Sequence, residues 1–202
     1  VGKNALATTT TADNNTAVGF QALNANTSGT RNSAVGKDAL KAATTGSYNV
    51  AMGTFAADAL TTGASNIAIG DASLSTLTTG DDNVAVGQAA LFACTGSNNT
   101  AVGSDALVAN TSASNNTAVG YQALLDNTTG ASNTSVGYRS LYNNTTGQQN
   151  TALGAESLYT NSTGNGVVAV GRQALFASTA SDNTAIGHNV MVANTSGTLN
   201  VA

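Results

Sequence analysis

The sequence predicts an all-β fold: a parallel β-solenoid, or β-roll, that forms a single repetitive rod over residues 1–202. Three observations support this prediction. A unit of about 17 residues recurs about twelve times, every unit contains a short alternating segment typical of a strand, and Gly-containing turn sequences separate these segments. A unit of this length suits one coil of a solenoid and is too short for a repeat made of two helices.

The repeat is anchored by a glycine that usually follows Ala-Val, called here the repeat glycine. Of the eleven steps between successive repeat glycines, nine span 17 residues and two span 16. The shorter copies lose a residue beside Thr95 and Thr179, so the change in length is predicted to fall in a turn. The repeat glycines are Gly2, Gly19, Gly36, Gly53, Gly70, Gly87, Gly103, Gly120, Gly137, Gly154, Gly171 and Gly187.

Other positions recur at fixed distances from this glycine. The unit is Asn-Thr-Ala-Val-Gly-x-x-Ala-Leu-x-x-x-Thr-Thr-Gly-x-x, and stacked coils would place Asn over Asn and Thr over Thr, where side chains can hydrogen bond along the rod. A rise of about 4.8 Å per coil gives a rod of roughly 55–60 Å. Besides the glycines, the residues predicted to define the coil are Val18, Val119, Leu23, Leu124, Asn15, Asn116, Thr27 and Thr128.

The strand segment predicts which side chains point inward. Because side chains alternate along a strand, the Val before the repeat glycine shares a face with the residue two positions earlier. We expect that face to point into the coil against the Leu of the opposite wall. The other face carries only Asn, Ala and Gly, and we expect it to approach another backbone at a symmetry axis. The alternative is an exposed, flat face of small residues.

The two ends of the sequence are in phase with the repeat. Residues 200–202 followed by residues 1–2 would rebuild one unit. We therefore expect a window on a longer repetitive fibre, or a subunit that stacks end to end.

One stretch carries the repeat in full, residues 116–124 (NTAVGYQAL) followed by residues 127–130 (NTTG). It resembles the repeats of phage tail fibres and related bacterial surface proteins. The Ala-Val-Gly core is also similar to the head repeats of trimeric autotransporter adhesins, which are left-handed β-rolls around a three-fold axis. This resemblance extends over the whole chain, and it implies a left-handed, homotrimeric, extracellular fibre on a virion tail or a cell surface.

The composition argues against several classes of function. Charged residues make up 8% of the chain, against about 25% in typical soluble domains, and the formal net charge is −4. The six basic residues are scattered, so nucleic-acid binding is not expected. No apolar run reaches the length of a membrane span. Cys94 is the only cysteine, which excludes a disulfide within the chain.

Residues that could carry chemistry are few, and none is assigned a catalytic, cofactor-binding or metal-binding role. His188, the only histidine, falls at a variable position that is expected to be exposed, and Cys94 falls in a turn. Asp81 and Asp82 are the only adjacent acids, and neighbours on a strand would point apart. Asn-x-Ser/Thr sequences favour turn chemistry over glycan attachment; those that share one turn position begin at Asn26, Asn110, Asn127, Asn144, Asn161 and Asn194.

These observations favour a non-catalytic structural shaft or adhesive segment of an extracellular fibre. The expected partners are other copies of the chain and a cell-surface glycan, with no cofactor. Exposed aromatic residues would either contact such a glycan or cover the neighbouring coil: Phe20, Tyr121, Tyr138 and Tyr142. The alternatives are an ice-binding solenoid, in which regular Thr and Asn rows order water, and a polysaccharide-binding or polysaccharide-cleaving tailspike segment, which for cleavage needs a pair of carboxylates.

Overall fold

The computed structural model, which describes residues 2–8 and 10–202, is an all-β parallel solenoid of about ten turns with coils of about 17 residues. One sheet of eleven strands runs along it, and each strand pairs only with its sequence neighbours. The predicted junction between residue 202 and Val1 involves a residue outside the described range. The strands are β1 Thr16–Val18, β2 Ser33–Val35, β3 Val50–Met52, β4 Ile67–Ile69, β5 Val84–Val86, β6 Thr100–Val102, β7 Thr117–Val119, β8 Thr134–Val136, β9 Thr151–Leu153, β10 Val168–Val170 and β11 Thr184–Ile186.

The strands stack in register, so equivalent residues of successive coils lie over one another. Ala17 pairs with Ala34, and the same pairing continues to Ala169 with Ala185. The 16-residue coils keep this register, because β5 still pairs Ala85 with Ala101. The predicted parallel solenoid with stacked repeats is therefore confirmed, and the missing residue of each short coil is absorbed outside the sheet.

The predicted direction of the strand side chains is wrong. In all eleven strands the central residue is buried, and the residues on either side of it are exposed or half-buried. Ala118 is 0% exposed, whereas Val18 is 45% exposed and the Val119 side chain faces outward. The inward face is thus the Asn-Ala face. The physical reason is space, since Leu and Asn side chains fill the narrow interior and leave room only for a methyl group on the strand.

The interior is completed, as predicted, by the Leu four residues after the repeat glycine, a position that Ala57 and Met191 occupy in two of the coils. Leu23 and Leu124 are 0% exposed, and so is the Ala before each of them, Ala22 and Ala123. These residues come from the wall opposite the strand. Burying a Leu side chain fully contributes about 1.5–3 kcal/mol, so one such residue per coil provides the main apolar stabilisation of a core otherwise made of methyl groups.

The turns require backbone conformations that most residues avoid. Each coil repeats three left-handed positions, as at Asn115 (φ 63°), Gln122 (φ 55°) and Leu124 (φ 54°). A non-glycine residue in this region costs about 1–2 kcal/mol. The cost is offset by stacking, because the coil above and below fixes the same corner through backbone hydrogen bonds, such as Gln122 N to Ser104 O at 3.0 Å.

The repeat glycine is required for two reasons. Gly120 has φ of +133°, a conformation essentially restricted to glycine. A Cβ atom on Gly120 would also lie 2.5 Å from the carbonyl oxygen of Gly137 in the next coil. The predictions for the small-residue face, a symmetry axis or an exposed flat face, are therefore wrong: the face is buried in the coil, and the backbone close to its glycine is the adjacent coil of the same chain.

Candidate functional surfaces

A ladder of buried asparagines runs along the interior, at the position four residues before each repeat glycine. The side chain of Asn116 accepts a hydrogen bond from the backbone N–H of Asn133 (2.9 Å) and donates one to the carbonyl oxygen of Gly130 (2.9 Å). Its own N–H donates to Oδ1 of Asn99 (3.0 Å). Asn15 begins the same pattern by accepting from Asn32 N–H. The ladder satisfies buried backbone groups that the three-residue strands leave unpaired.

The ladder has one substitution, at Val167. Val167 N–H still donates to Oδ1 of Asn150 (2.9 Å), but valine offers no acceptor to the next coil. The side chain is 0% exposed and fills the space with apolar atoms. The ladder therefore resumes at Asn183, whose Oδ1 accepts from Asn200 N–H.

Threonines form a second ladder at a turn, eight residues after the repeat glycine. The Thr27 hydroxyl donates to the Thr44 carbonyl oxygen (3.1 Å), and the Thr128 hydroxyl donates to the Thr145 carbonyl oxygen (2.9 Å). The predicted Thr-over-Thr stacking is confirmed, although each hydroxyl bonds to backbone rather than to the next hydroxyl. This ladder stabilises the corner where the two short coils lose their residue.

The asparagines of the six Asn-x-Ser/Thr sequences named above lie seven residues after the repeat glycine, and their side chains point inward. Asn127 donates to Oδ1 of Asn110 (2.8 Å), and Asn144 donates to Oδ1 of Asn127 (2.8 Å). These three are 0% exposed, as are Asn26 and Asn161, whereas Asn194 in the last coil is half-buried. A glycan attached to the buried members would have to displace the core, so their role is turn and ladder chemistry.

Cys94 belongs to this same inner position, so it lies in the core rather than on the surface of a turn. Its Sγ accepts from Nδ2 of Asn110 (3.6 Å) and Nδ2 of Asn99 (3.7 Å). Burial raises the pKa of the Cys94 thiol, and its hydrogen bonds with Asn110, Gly96 and Asn99 lower that pKa by less. The thiol is thus held neutral and enclosed, which is unlike the exposed, low-pKa environment of a reactive cysteine.

The outward face of the sheet is the first of two surface features with the character of a binding surface. We call it the strand face; it consists of the first and third residue of every strand. It is uncharged throughout and carries exposed apolar side chains along its whole length. The apolar members at least 36% exposed are Val18, Val35, Met52, Ile67, Ile69, Val102, Val136, Leu153 and Ile186.

The second feature is a cluster of aromatic residues in the C-terminal part of the rod, called here the aromatic patch. It has two stacks, Tyr121 on Tyr138 (centroids 5.9 Å apart) and Tyr142 on Tyr159 on Phe176 (5.1 Å each). Arg139 joins them, because its guanidinium carbon lies 5.2 Å from the Tyr138 ring centre and 5.5 Å from that of Tyr142. Of the four aromatics predicted to be exposed, Phe20, Tyr121 and Tyr138 are 42–46% exposed and Tyr142 is half-buried.

Two ionisable groups in or beside the patch have pKa values above their ordinary range. Partial burial raises the pKa of the Asp126 carboxyl. Burial, and then the negative charge of Asp126, raise the pKa of the Tyr142 hydroxyl. That hydroxyl therefore remains a hydrogen-bond donor across the physiological range.

The remaining candidate residues are dispersed. His188 is exposed as expected, with Nε2 3.2 Å from a guanidinium nitrogen of Arg172. Asp81 and Asp82 are exposed in a turn, not on a strand, and Asp81 accepts from Ala64 N–H (2.7 Å). Among residues 2–8 and 10–202, no group of three His, Cys, Asp or Glu residues is placed to hold a metal ion, and no pocket is found. Nor does this part of the chain form any helix able to cross a bilayer.

Comparison of the chain with protein-family models, with curated proteins and with solved structures gives no match. Function must therefore be argued from the two surfaces themselves. Sequence reasoning missed the strand face because it assigned Val to the interior. It also missed Arg139 as the residue that connects the two aromatic stacks. The stacks themselves had a usable signal, because Tyr121 and Tyr138 are one repeat apart and so are Tyr142 and Tyr159.

Proposed function

We propose that the chain is a non-catalytic structural shaft of an extracellular fibre, with twelve left-handed coils, on a virion tail or a bacterial surface. The observation that carries this proposal is the regular ladder-bonded rod, in which every coil repeats the same core. Stacked coils make a long, stiff element whose stability depends on neighbouring coils rather than on a thick core. The hand, the setting and the shaft role follow the resemblance to tail-fibre and adhesin repeats.

We further propose that three copies associate through the strand face. An exposed apolar surface that extends along a whole protein is a typical mark of an interaction site. Val102 is 36% exposed and Val136 is 37% exposed in the isolated chain, and the face carries no charge that burial would penalise. The three-fold symmetry is taken from the adhesin heads, which the Ala-Val-Gly core resembles.

The test places a charge in the proposed interface. Val102→Glu with Val119→Glu puts two carboxylates on the strand face, and Ser112→Glu with Thr129→Glu puts two on the turn of the same two coils. Light scattering should give three times the monomer mass for the wild type and the turn variant, and the monomer mass for the strand variant. A monomeric wild type, or a strand variant that remains trimeric with an unchanged circular dichroism spectrum, would refute the interface.

Ice binding is a second candidate, and one observation favours it. The strand face is a regular array of β-branched side chains in which Thr100, Thr117 and Thr134 stand in one row. The same face cannot both order water and be covered by other copies. Thermal hysteresis of a dilute solution of a monomeric chain would support ice binding, whereas its absence together with a trimeric mass would exclude it.

A further inference from the structure

The rod has two chemically different parts on its outer wall. Five residues after the repeat glycine, the side chain is a methyl group in the first coil (Ala7), polar in the next four coils and apolar in the later ones. We call the apolar part the outer ridge. The polar residues are Asn24, Lys41, Asp58 and Ser75, and the outer ridge is Phe92, Val108, Leu125, Tyr142, Tyr159, Phe176 and Val192.

The inner wall changes in the opposite sense in most of the same coils. Seven residues after the repeat glycine, three consecutive early coils bury apolar Ala43, Leu60 and Leu77, whereas later coils bury Asn127 and Asn144; the early Asn26 and the later Cys94 are the exceptions. Later coils therefore carry exposed or half-buried apolar side chains on the outside while they bury polar ones. The early coils fold without an outer ridge, so the fold itself does not require it. Apolar residues retained on the outside under these conditions indicate a surface for a partner.

The aromatic rings of the ridge leave part of each face open. Rings in full face-to-face contact would lie about 3.5–4.0 Å apart, the optimal separation of carbon atoms. The centroids of Tyr142, Tyr159 and Phe176 are 5.1 Å apart with planes within 12° of parallel. Neighbouring rings therefore do not cover one another fully, and the uncovered strip of each half-buried ring is accessible to a ligand.

The rim of the patch consists of hydrogen-bonding side chains with little net charge. Arg139 donates from Nε to Oε1 of Gln122 (2.8 Å), and Gln173 donates to Oε2 of Glu156 (2.8 Å). Arg139 lies in the coil between those of Asp126 and Glu156, so its positive charge is flanked by two carboxyl groups. Amide groups of both Gln residues and the Tyr hydroxyls supply donors and acceptors beside the rings.

We propose that the aromatic patch binds a neutral, extended oligosaccharide laid along the rod axis. A pyranose ring has an apolar C–H face and a polar rim of hydroxyls, which matches open ring strips bordered by amides and hydroxyls. The 5.1 Å spacing of the rings is close to the length of one β-1,4-linked pyranose unit, so each coil would face one sugar. This inference rests on the proposed extracellular fibre, for which it supplies a glycan contact.

Two other occupants fit the surface less well. A peptide that binds as an added strand needs a free sheet edge, and the edges of this sheet face the ends of the rod rather than the patch. A second copy of the chain would favour a mainly apolar, flat surface, and the strand face offers one. The patch instead combines aromatic groups with a dense polar rim.

The test uses the full chain with cellohexaose and chitohexaose as probes, measured by titration calorimetry and tyrosine fluorescence. The chain contains no tryptophan, so its fluorescence comes from five tyrosines, four of which are in the patch. Tyr142→Ser with Tyr159→Ser should weaken binding about tenfold or more. Ser75 occupies the same position in an early coil, so the fold accommodates serine there. Tyr48→Ser, at a position where Ser65 and Ser132 occur, is the matched control and should bind like the wild type.

Each result has a definite meaning. Absence of wild-type binding to both probes, equal binding by the Tyr142/Tyr159 variant, or equal loss in the Tyr48 control would overturn the glycan site. A change of oligomeric mass in the Tyr142/Tyr159 variant would overturn it in favour of a contact between copies. Light scattering on the same samples reports trimer formation separately. A monomer that binds the probes would therefore refute the trimeric shaft alone, and a trimer that binds neither probe would refute the glycan site alone.

Discussion

The asparagine ladder makes a quantitative prediction for Asn116→Ala. The substitution removes two side-chain hydrogen bonds, from Asn133 N–H and to Gly130 O, both at 2.9 Å, in a region where Asn116 is 1% exposed. Asn133 N–H is left buried without a partner, which costs about 1–3 kcal/mol, whereas Gly130 O keeps the hydrogen bond from Asn127 Nδ2 (2.9 Å), so its loss is that of one ordinary hydrogen bond, about 0.5–1.5 kcal/mol. The two together predict a loss of about 1.5–4.5 kcal/mol in the free energy of unfolding.

The measurement is urea unfolding followed by circular dichroism. The control is Asn143→Ala, the same change at a half-buried outer position, which should alter the free energy of unfolding by about 0.5 kcal/mol or less. The reasoning would be refuted if Asn116→Ala cost no more than this control. Because repeat proteins can unfold in parts, the comparison requires that the wild type and both variants each unfold in a single transition that circular dichroism and tyrosine fluorescence report alike.

Two further predictions concern single positions. Gly120→Ala should lower the free energy of unfolding by about 3 kcal/mol or more, because φ is +133° and a Cβ atom would lie 2.5 Å from Gly137 O. Gly166→Asn should be tolerated, since φ is +66° and Asn115 adopts the same conformation. Thermal unfolding compares the two variants, and an equal shift in melting temperature would contradict the stated role of the repeat glycine. Because burial raises the folded-state pKa of Cys94 above the unfolded value of about 8.5, its contribution to stability is complete below that pH and is lost as pH rises through the folded pKa. Cys94→Ser, which introduces the residue found as Ser178 at the equivalent buried position, should lack that alkaline decline in urea unfolding, and an identical pH profile in both proteins would disprove the assignment.

The repeat made most of the fold predictable. Period, strand position, parallel stacking, the Leu core, the ladders and the turn location of the missing residues all follow from the recurrence of Gly120, Leu124 and Asn116 and their counterparts. In-register stacking converts a period directly into columns of contacts, so a single correct unit specifies the whole chain.

The direction of the strand side chains was not predictable from alternation alone. Alternation states that Ala118 and Val119 point to opposite faces but not which face is inside. The greater hydrophobicity of Val favours placing Val inside. The coil is too narrow for this, because its corners, with Leu124 at φ 54°, already direct the Leu side chain into the interior. No sequence rule places Leu in a left-handed turn, because the cost is offset only by stacking on neighbouring coils. The aromatic patch depends on contacts between coils, and the sequence shows only that its aromatic residues recur at the repeat spacing.

The central claim is that the strand face is covered by other copies of the chain in a trimeric shaft. An electron cryo-microscopy section viewed down the rod axis tests it most directly, because coil number and orientation are both visible. The proposed arrangement predicts three coils with their strand faces toward a common axis and the aromatic patches on the outside. A single coil, or coils that meet through the aromatic patch with the strand face in solvent, would contradict it.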